Sequence, residues 1–269
     1  MARKRYALTE TRIANFMGQG RGQGEGRDYK PWLKVSDVPS QGRCHRPFCL
    51  KTGREHHLLS DNEYYAFLIQ WWADDVVDIR EQYPLLDRRE TMEIAALHGV
   101  RHPVDPSSQA VLVITTDLLT TNNTPDGTRL VAFAVKQVED LSNRRTLEKL
   151  EIERHFWARR NVPWSILIST HLKTNYTRNL AWILGSGMPL ESDERSRQSD
   201  ELITSHLLEA IYRSGQQPVR TICLSVDAKL ELSPGRTLKC LRHLLAVKYL
   251  NAPLESPRVQ DLPGTAFTL

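Results

Sequence analysis

Between residues 111 and 136 two short apolar runs flank a polar stretch, and this pairing constrains the fold more than any other feature. Residues 111–117 (VLVITTD) and 129–136 (RLVAFAVK) are short, rich in β-branched residues and bounded by turn chemistry, so they read as buried strands. The polar residues 122–127 between them contain Asp126-Gly127, a dipeptide suited to a two-residue hairpin turn. A turn centred there sets Asp117 directly opposite Lys136, on one face and roughly 5 Å apart. A lone carboxylate and a lone ammonium then stand side by side at the end of an apolar ladder. They form either a cross-strand ion pair, worth little if exposed, or the start of a site.

Other elements surround this hairpin. Residues 60–73 (SDNEYYAFLIQWWA) read as a helix, with Ser60 as N-cap and Glu63 three residues on completing a capping box. Tyr64, Phe67, Leu68, Trp71 and Trp72 form its buried stripe. A strand over 76–83 is stopped by Pro84, and a helix over 88–98 is ended by Gly99. A long helix over 144–160 carries Glu/Lys pairs outside and Leu147, Leu150 and Trp157 inside, and a last buried strand runs over 163–169. The expected fold class is α/β, a mixed sheet flanked by helices. Beyond it, residues 185–200 are polar and Gly/Ser-rich and read as a linker. Helices over 201–213, 219–230 and 234–246 follow, the last capped by Ser233 with Pro234 at its first position. With a strand-like VKYL at 247–250 they suggest a small, mainly helical winged-helix-like domain over 201–269.

Composition narrows the class. The longest apolar run, residues 130–135, is six residues, far short of a membrane span. The N-terminus is basic and polar rather than signal-like. Four scattered cysteines suit a reduced cytoplasm better than a disulfide framework. A net charge of +4 conceals a basic start: the first fifty residues hold ten Lys/Arg and four Asp/Glu. Such an arm suits a polyanion, nucleic acid foremost, or is simply solvated. Residues 1–28 read as a basic, Gly-rich arm whose GQGRGQGEGR run is a flexible linker, not a phosphate-binding loop. Cys44, His45, Cys49, His56 and His57 offer soft ligands at a spacing that matches no common zinc module.

Hydrolysing a phosphodiester requires an in-line water, neutralisation of the phosphate charge and help for the leaving oxygen. Carboxylates from two elements can hold Mg²⁺, a hard ion that takes oxygen ligands, and a neighbouring Lys can steady the phosphate. Glu63, Asp117 and Lys136 supply those groups if the first helix reaches the end of the sheet. The duller reading leaves Glu63 as a capping residue only.

The order Glu63 … Thr115-Thr116-Asp117 … Ala134-Val135-Lys136 resembles the restriction-endonuclease-like nuclease superfamily. More narrowly, residues 29–43 (YKPWLKVSDVPSQGR), 59–85, 102–106 (HPVDP) and 144–157 (RRTLEKLEIERHFW) are similar to TnsA, the endonuclease subunit of heteromeric cut-and-paste transposases. The resemblance implies a nuclease domain over 29–184 and a winged-helix-like C-terminal domain. It implies cleavage of the 5′, non-transferred strands at transposon ends, beside a TnsB-like DDE transposase and a TnsC-like ATPase, in the bacterial cytoplasm on DNA. It puts Glu63, Asp117 and Lys136 at the catalytic positions. Glu63, Asp117 and the main-chain carbonyl of Val135 become ligands of Mg²⁺, with Mn²⁺ as a substitute. Glu153 falls at a further acidic position of the family, without an assigned role.

One departure stands out. Ala134 occupies the position two before the Lys, where the pattern carries Glu or Gln. Water, Glu148 or Glu151 are the candidates to fill that place. Two other functions share these motifs: a non-catalytic adaptor on the nuclease fold, and a stand-alone restriction or junction-resolving nuclease. A near-neutral body beyond residue 50 disfavours the last, because independent specific DNA binding usually needs a larger basic surface.

Overall fold

The computed structural model describes residues 7–38, 42–185, 194–213 and 216–269, with side chains from residue 198 onward in the third of these stretches. The chain divides into two compact units between Lys173 and Thr174. Among the described residues no helix is long and apolar enough to cross a membrane.

In chain order the first unit holds α1 (Glu10–Gly18), a two-stranded ribbon β1 (Phe48–Cys49) and β2 (Arg54–Glu55), and α2 (Asp61–Trp72). There follow β3 (Val76–Leu85), α3 (Arg88–Leu97), β4 (Ile114–Thr124), β5 (Gly127–Lys136), α4 (Arg144–Ala158), β6 (Trp164–Ile168) and the short α5 (Ser169–Leu172). The main sheet has the order β3-β4-β5-β6. Its first three strands are antiparallel, and β6 joins β5 in parallel. A parallel pair needs a crossover, and α4 provides it. The sheet is mixed and flanked by helices, as the sequence implies.

The local signals explain most boundaries. Ser60 Oγ accepts the Glu63 N–H at 3.1 Å and starts α2. Asp87 accepts from the Glu90 N–H and starts α3, and Asn143 accepts from Arg145 and Thr146 at the head of α4. Leu150 and Trp157 of α4 are buried, but Leu147 is 47% exposed and not part of the core. Pro84 does not stop β3. It pairs with Thr115 inside the strand, which is tolerated because β3 is an edge strand and needs no N–H on its open side.

The hairpin exists with a different register. Thr124 pairs with Gly127, so the loop is Pro125-Asp126 rather than Asp126-Gly127. Pro125 fixes φ for the first turn position, and Gly127 takes φ +124°. Moving the turn by one residue shifts the pairing by two, which leaves every side chain on its face. Asp117 and Lys136 therefore become diagonal neighbours rather than directly opposed, still within reach of a long side chain.

The N-terminal arm is folded from residue 7. Ile13 and Phe16 of α1 are buried with Trp32, Ala110 and Val113. The glycine run is irregular, as its composition demands, but it is anchored. Gly22 takes φ +79° and lies so close to Pro84 that a Cβ would sit 2.1 Å from its ring. Arg21 is buried over the Phe16 ring, and Arg12 and Arg21 both pair with Asp37. Part of the basic excess is thus neutralised within the protein.

Of the soft ligands in residues 44–57, Cys49 hydrogen-bonds to His56 and Cys44 to the Leu59 carbonyl. His45 pairs with Asp61, and His57 accepts from the Val35 N–H. His56 joins a buried network centred on Glu81, which receives Arg54 in a two-pronged pair at 2.8 and 2.6 Å, His56 at 2.7 Å and the His57 N–H at 2.9 Å. Among the described residues these side chains form no metal-binding group. Their work is structural: the network fastens the β1–β2 ribbon to β3.

The second unit contains α6 (Asn175–Leu184), α7 (Glu194–Arg213), α8 (Val219–Lys229) and α9 (Arg236–Ala246). Leu180, Ile203, Leu207, Ile222, Leu241 and Leu245 are buried in it. Of the expected linker, residues 186–193 lie outside the described residues and 194–200 belong to α7. Ser233 does not cap α9. Gly235, at φ +92°, holds the N-cap position, and Asp227 of α8 accepts the Gly235 and Thr237 N–H groups at 2.7 and 2.8 Å. Residues 247–250 form a turn with Lys248 at φ +56°, not a strand. Among the described residues, β pairing in this unit is confined to the isolated bridges Pro218–Pro263 and Asn251–Thr268.

Candidate active site

Asp117 lies where the β4–β5 ladder ends, and its side chain continues the pairing that the backbone gives up. Asp117 Oδ2 accepts the Val135 N–H at 2.7 Å and the Lys136 ammonium at 2.8 Å. Lys136 Nζ also donates to the Val135 carbonyl at 2.8 Å. The ammonium thus bridges the two oxygens that the sequence resemblance gives to a metal ion. Burial alone lowers the proton affinity of Lys136, but the Asp117 carboxylate outweighs it and holds the pKa above the ordinary lysine value. These groups face an open cavity of about 460 Å³, also lined by Thr115, Lys149 and Glu153.

Glu63 does not line that cavity. It is buried at the head of α2, where Oε1 accepts the Ser60 hydroxyl at 3.0 Å and Oε2 accepts the Leu59 N–H at 3.0 Å and the Gln82 carboxamide at 3.1 Å. Burial, and then the charge of Asp117, push its pKa up to about 7. Glu63 is therefore both the capping residue and a carboxylate coupled to the site. Three hydrogen bonds leave one of its roughly four lone-pair positions open.

Gln82 makes the connection, and no local pattern in the chain points to it. It falls between the Glu81–Leu118 and Tyr83–Thr116 pairs, hence opposite Asp117, with φ +47° inside a strand. Its carboxamide donates to Glu63 and accepts from the Thr115 hydroxyl at 3.3 Å. Strand alternation breaks at this rung. Leu85 and Tyr83 pack toward α4 with Ile114, but Glu81, which should share their face, turns to Arg54 and His56. On β4 the α4 side passes from Ile114 and Thr116 to Leu119. The inversion puts Asp117 and Gln82 at the changeover.

Glu153 is a further carboxylate of the cavity, which Asp140 also lines. It accepts Thr116 Oγ1 at 2.8 Å and Trp164 Nε1 at 3.0 Å. Burial, with the Asp117 charge behind it, pushes its pKa up to about 7. Lys149 adds a second cation whose pKa is lowered by burial and by the charges of Arg145 and Lys136. Ala134 is fully buried. Neither of the two glutamates suggested for its missing polar group lines the cavity: Glu148 is bound by Arg144 and Arg145, and Glu151 by Arg154 and His155.

The donors around Lys136 fit a hard divalent ion. Both are oxygens, from the Asp117 carboxylate and the Val135 carbonyl, and a cation already satisfies them. Glu63, buried behind the cavity, has its pKa raised by burial and then by the Asp117 charge, and a nearby positive charge would favour its ionised form.

Residues 73–169 match the TnsA-like endonuclease N-terminal family, and residues 172–254 match the TnsA endonuclease C-terminal family. The chain is 39% identical over 247 residues to the Escherichia coli transposon Tn7 transposition protein TnsA, covering 91% of this chain and 87% of that protein. The chain belongs to the TnsA endonuclease family. It is accordingly a DNA endonuclease, and its mixed sheet with flanking helices is the scaffold of a TnsA-like nuclease.

Proposed function

We propose that this TnsA-family endonuclease cuts the 5′, non-transferred strands at transposon ends during cut-and-paste transposition, using Mg²⁺ held by Asp117, Glu63 and the Val135 carbonyl. The observation that carries the reading is the meeting of Asp117, Val135 and Lys136 at one cavity, with 2.7–2.8 Å contacts. When bound, the ion supplies an activated water and neutralises charge on the scissile phosphate.

The protein's own groups divide the remaining work. Lys136, held protonated by Asp117, is a poor base and a good cation, so it steadies the phosphate oxygens or the attacking oxygen. Lys149 adds positive charge on the same cavity. Glu153, with a pKa near neutrality and a place in the lining, suits the acceptor of the proton lost by the attacking water. Gln82 and Ser60 hold the Glu63 carboxylate in position. Cleavage and joining at the 3′ ends belong, in this proposal, to a TnsB-like transposase, and a TnsC-like ATPase connects both to the target.

A strand-resolved cleavage assay tests this. The full chain, its partner transposase, Mg²⁺ and end-labelled transposon DNA should give 5′-strand nicks that Asp117→Ala abolishes while 3′ nicks persist. Unchanged 5′ nicking by Asp117→Ala would remove the assignment.

A further inference from the structure

A second group of metal-ligating side chains lies outside the cavity. His98 is the C-cap of α3, and Glu151 and His155 stand one turn apart on α4. One ligand atom from each of the three lies within 4.8 Å of the others. The His98 and His155 rings stack with centroids 3.6 Å apart, and His155 Nε2 is 2.8 Å from Glu151 Oε1.

His155 Nε2 and Glu151 Oε1 share one cation. Nε2 faces Glu151 Oε1 and, at 2.7 Å, an N–H group of Arg154, which also reaches Glu151 Oε1 at 2.7 Å. If Nε2 carries the proton, its N–H meets the guanidinium. If it does not, its lone pair meets that of the carboxylate, and both point at a cation. The second arrangement is that of two ligands on one ion. The guanidinium fills the cation's place, and it is half-exposed. Glu151 is ionised: its hydrogen bond from Arg154, with His155 behind it, holds the pKa down at about 2.

We propose that His98, Glu151 and His155 form a site for a zinc-class divalent ion that staples the end of α3 to α4. Two imidazoles and one carboxylate match the donor set of Zn²⁺, at bond lengths of about 2 Å after small rotamer changes. The same donors are a poor match for Mg²⁺, which prefers oxygen. The site is thus chemically separate from the Asp117 cavity, and it stands whether or not that cavity holds Mg²⁺. Its effect is to fix α4, which carries Lys149 and Glu153 into the cavity.

The test uses the full chain in saturating Mg²⁺, which occupies oxygen-only sites, titrated with Co²⁺ as a coloured probe for zinc. A visible absorption band should grow to one equivalent, persist in Asp117→Asn and vanish on adding Zn²⁺. His98→Asn and His155→Asn should each weaken it by more than about tenfold, the size that even an outer-shell change can have. Zn²⁺ should also raise the melting temperature of the wild type and leave that of His98→Asn unchanged; His98 is exposed at a helix end, so its variant folds. No Mg²⁺-resistant band, or a band that survives both His substitutions, overturns the proposal.

Discussion

Gln82 carries the most demanding backbone of the nuclease sheet. A non-glycine residue at φ +47° within a strand stores on the order of 1–3 kcal/mol, and such strain persists where its surroundings hold it in place. Here the carboxamide is held by Glu63 and Thr115, so strain and site geometry are the same feature. Two variants separate them. Gln82→Ala and Gln82→Gly both lose the carboxamide and should both cut DNA more slowly and demand more Mg²⁺. Only the glycine accepts the positive φ freely, so chemical denaturation should find Gln82→Gly more stable than Gln82→Ala by about 1 kcal/mol. Equal stabilities would mean that no strain is stored there. Glu153 makes a separate claim, because a proton acceptor near pKa 7 should shape the pH–rate curve. Glu153→Gln should lower the single-turnover rate about a hundredfold and remove the rate's rise between about pH 6 and 8. A variant that keeps that rise shows that the proton leaves by another route.

At the scale of elements, the sequence was most informative where one local rule decided the outcome. Ser60 and Glu63 formed the cap they spell, and Asp117 and Lys136 met although their register was misjudged by two, because a slip of two preserves the face. The turn lies one residue before Asp-Gly because Pro125, with its fixed φ, takes the first turn position. Gln82 was illegible because no local preference favours its φ; the tertiary contacts of its carboxamide impose it. Glu63's proton affinity was hidden for the same reason, since burial and the Asp117 charge act across the fold. The glycine run misled in the other direction. Its composition announces irregular backbone, but not that Gly22 sits against Pro84. Gly22→Ala would add a Cβ 2.1 Å from that ring at φ +79°, and should cost more than about 2 kcal/mol in urea denaturation. Gly18→Ala, at the end of α1 with nothing within 4 Å of the added atom, is the control and should be neutral or stabilising by up to about 1 kcal/mol. If the two behaved alike, the arm would be the loose segment its composition suggests.

For the whole molecule, the buried carboxylates of the first unit pull stability in opposite directions with pH. Glu81, fully buried, is held ionised well below the usual carboxylate range: His56 and Arg54 overcome the cost of burial. Below about pH 4.5 the unfolded chain protonates this group more readily than the folded one, so stability falls as pH falls. Glu63 and Glu153 do the reverse. Their pKa values of about 7 mean that between about pH 4.5 and 7 the folded state keeps protons the unfolded state has released, so stability falls as pH rises through that window. The metal-free protein should therefore be most stable near pH 5, and Glu153→Gln should flatten the decline toward neutrality without touching the acid limb. On the proposed assignment, magnesium enters the same balance. Protons compete with an ion for Glu63, so the rise in melting temperature produced by saturating Mg²⁺ should be small at pH 5 and larger at pH 8, where a cation takes over the charge that protons no longer neutralise. Calorimetry on the wild type and on Glu63→Gln decides it. The wild type should show the pH-dependent increment and the variant should lose most of it. An increment equal at both pH values, or unchanged in Glu63→Gln, would mean that the ion binds without engaging the helix-borne carboxylate.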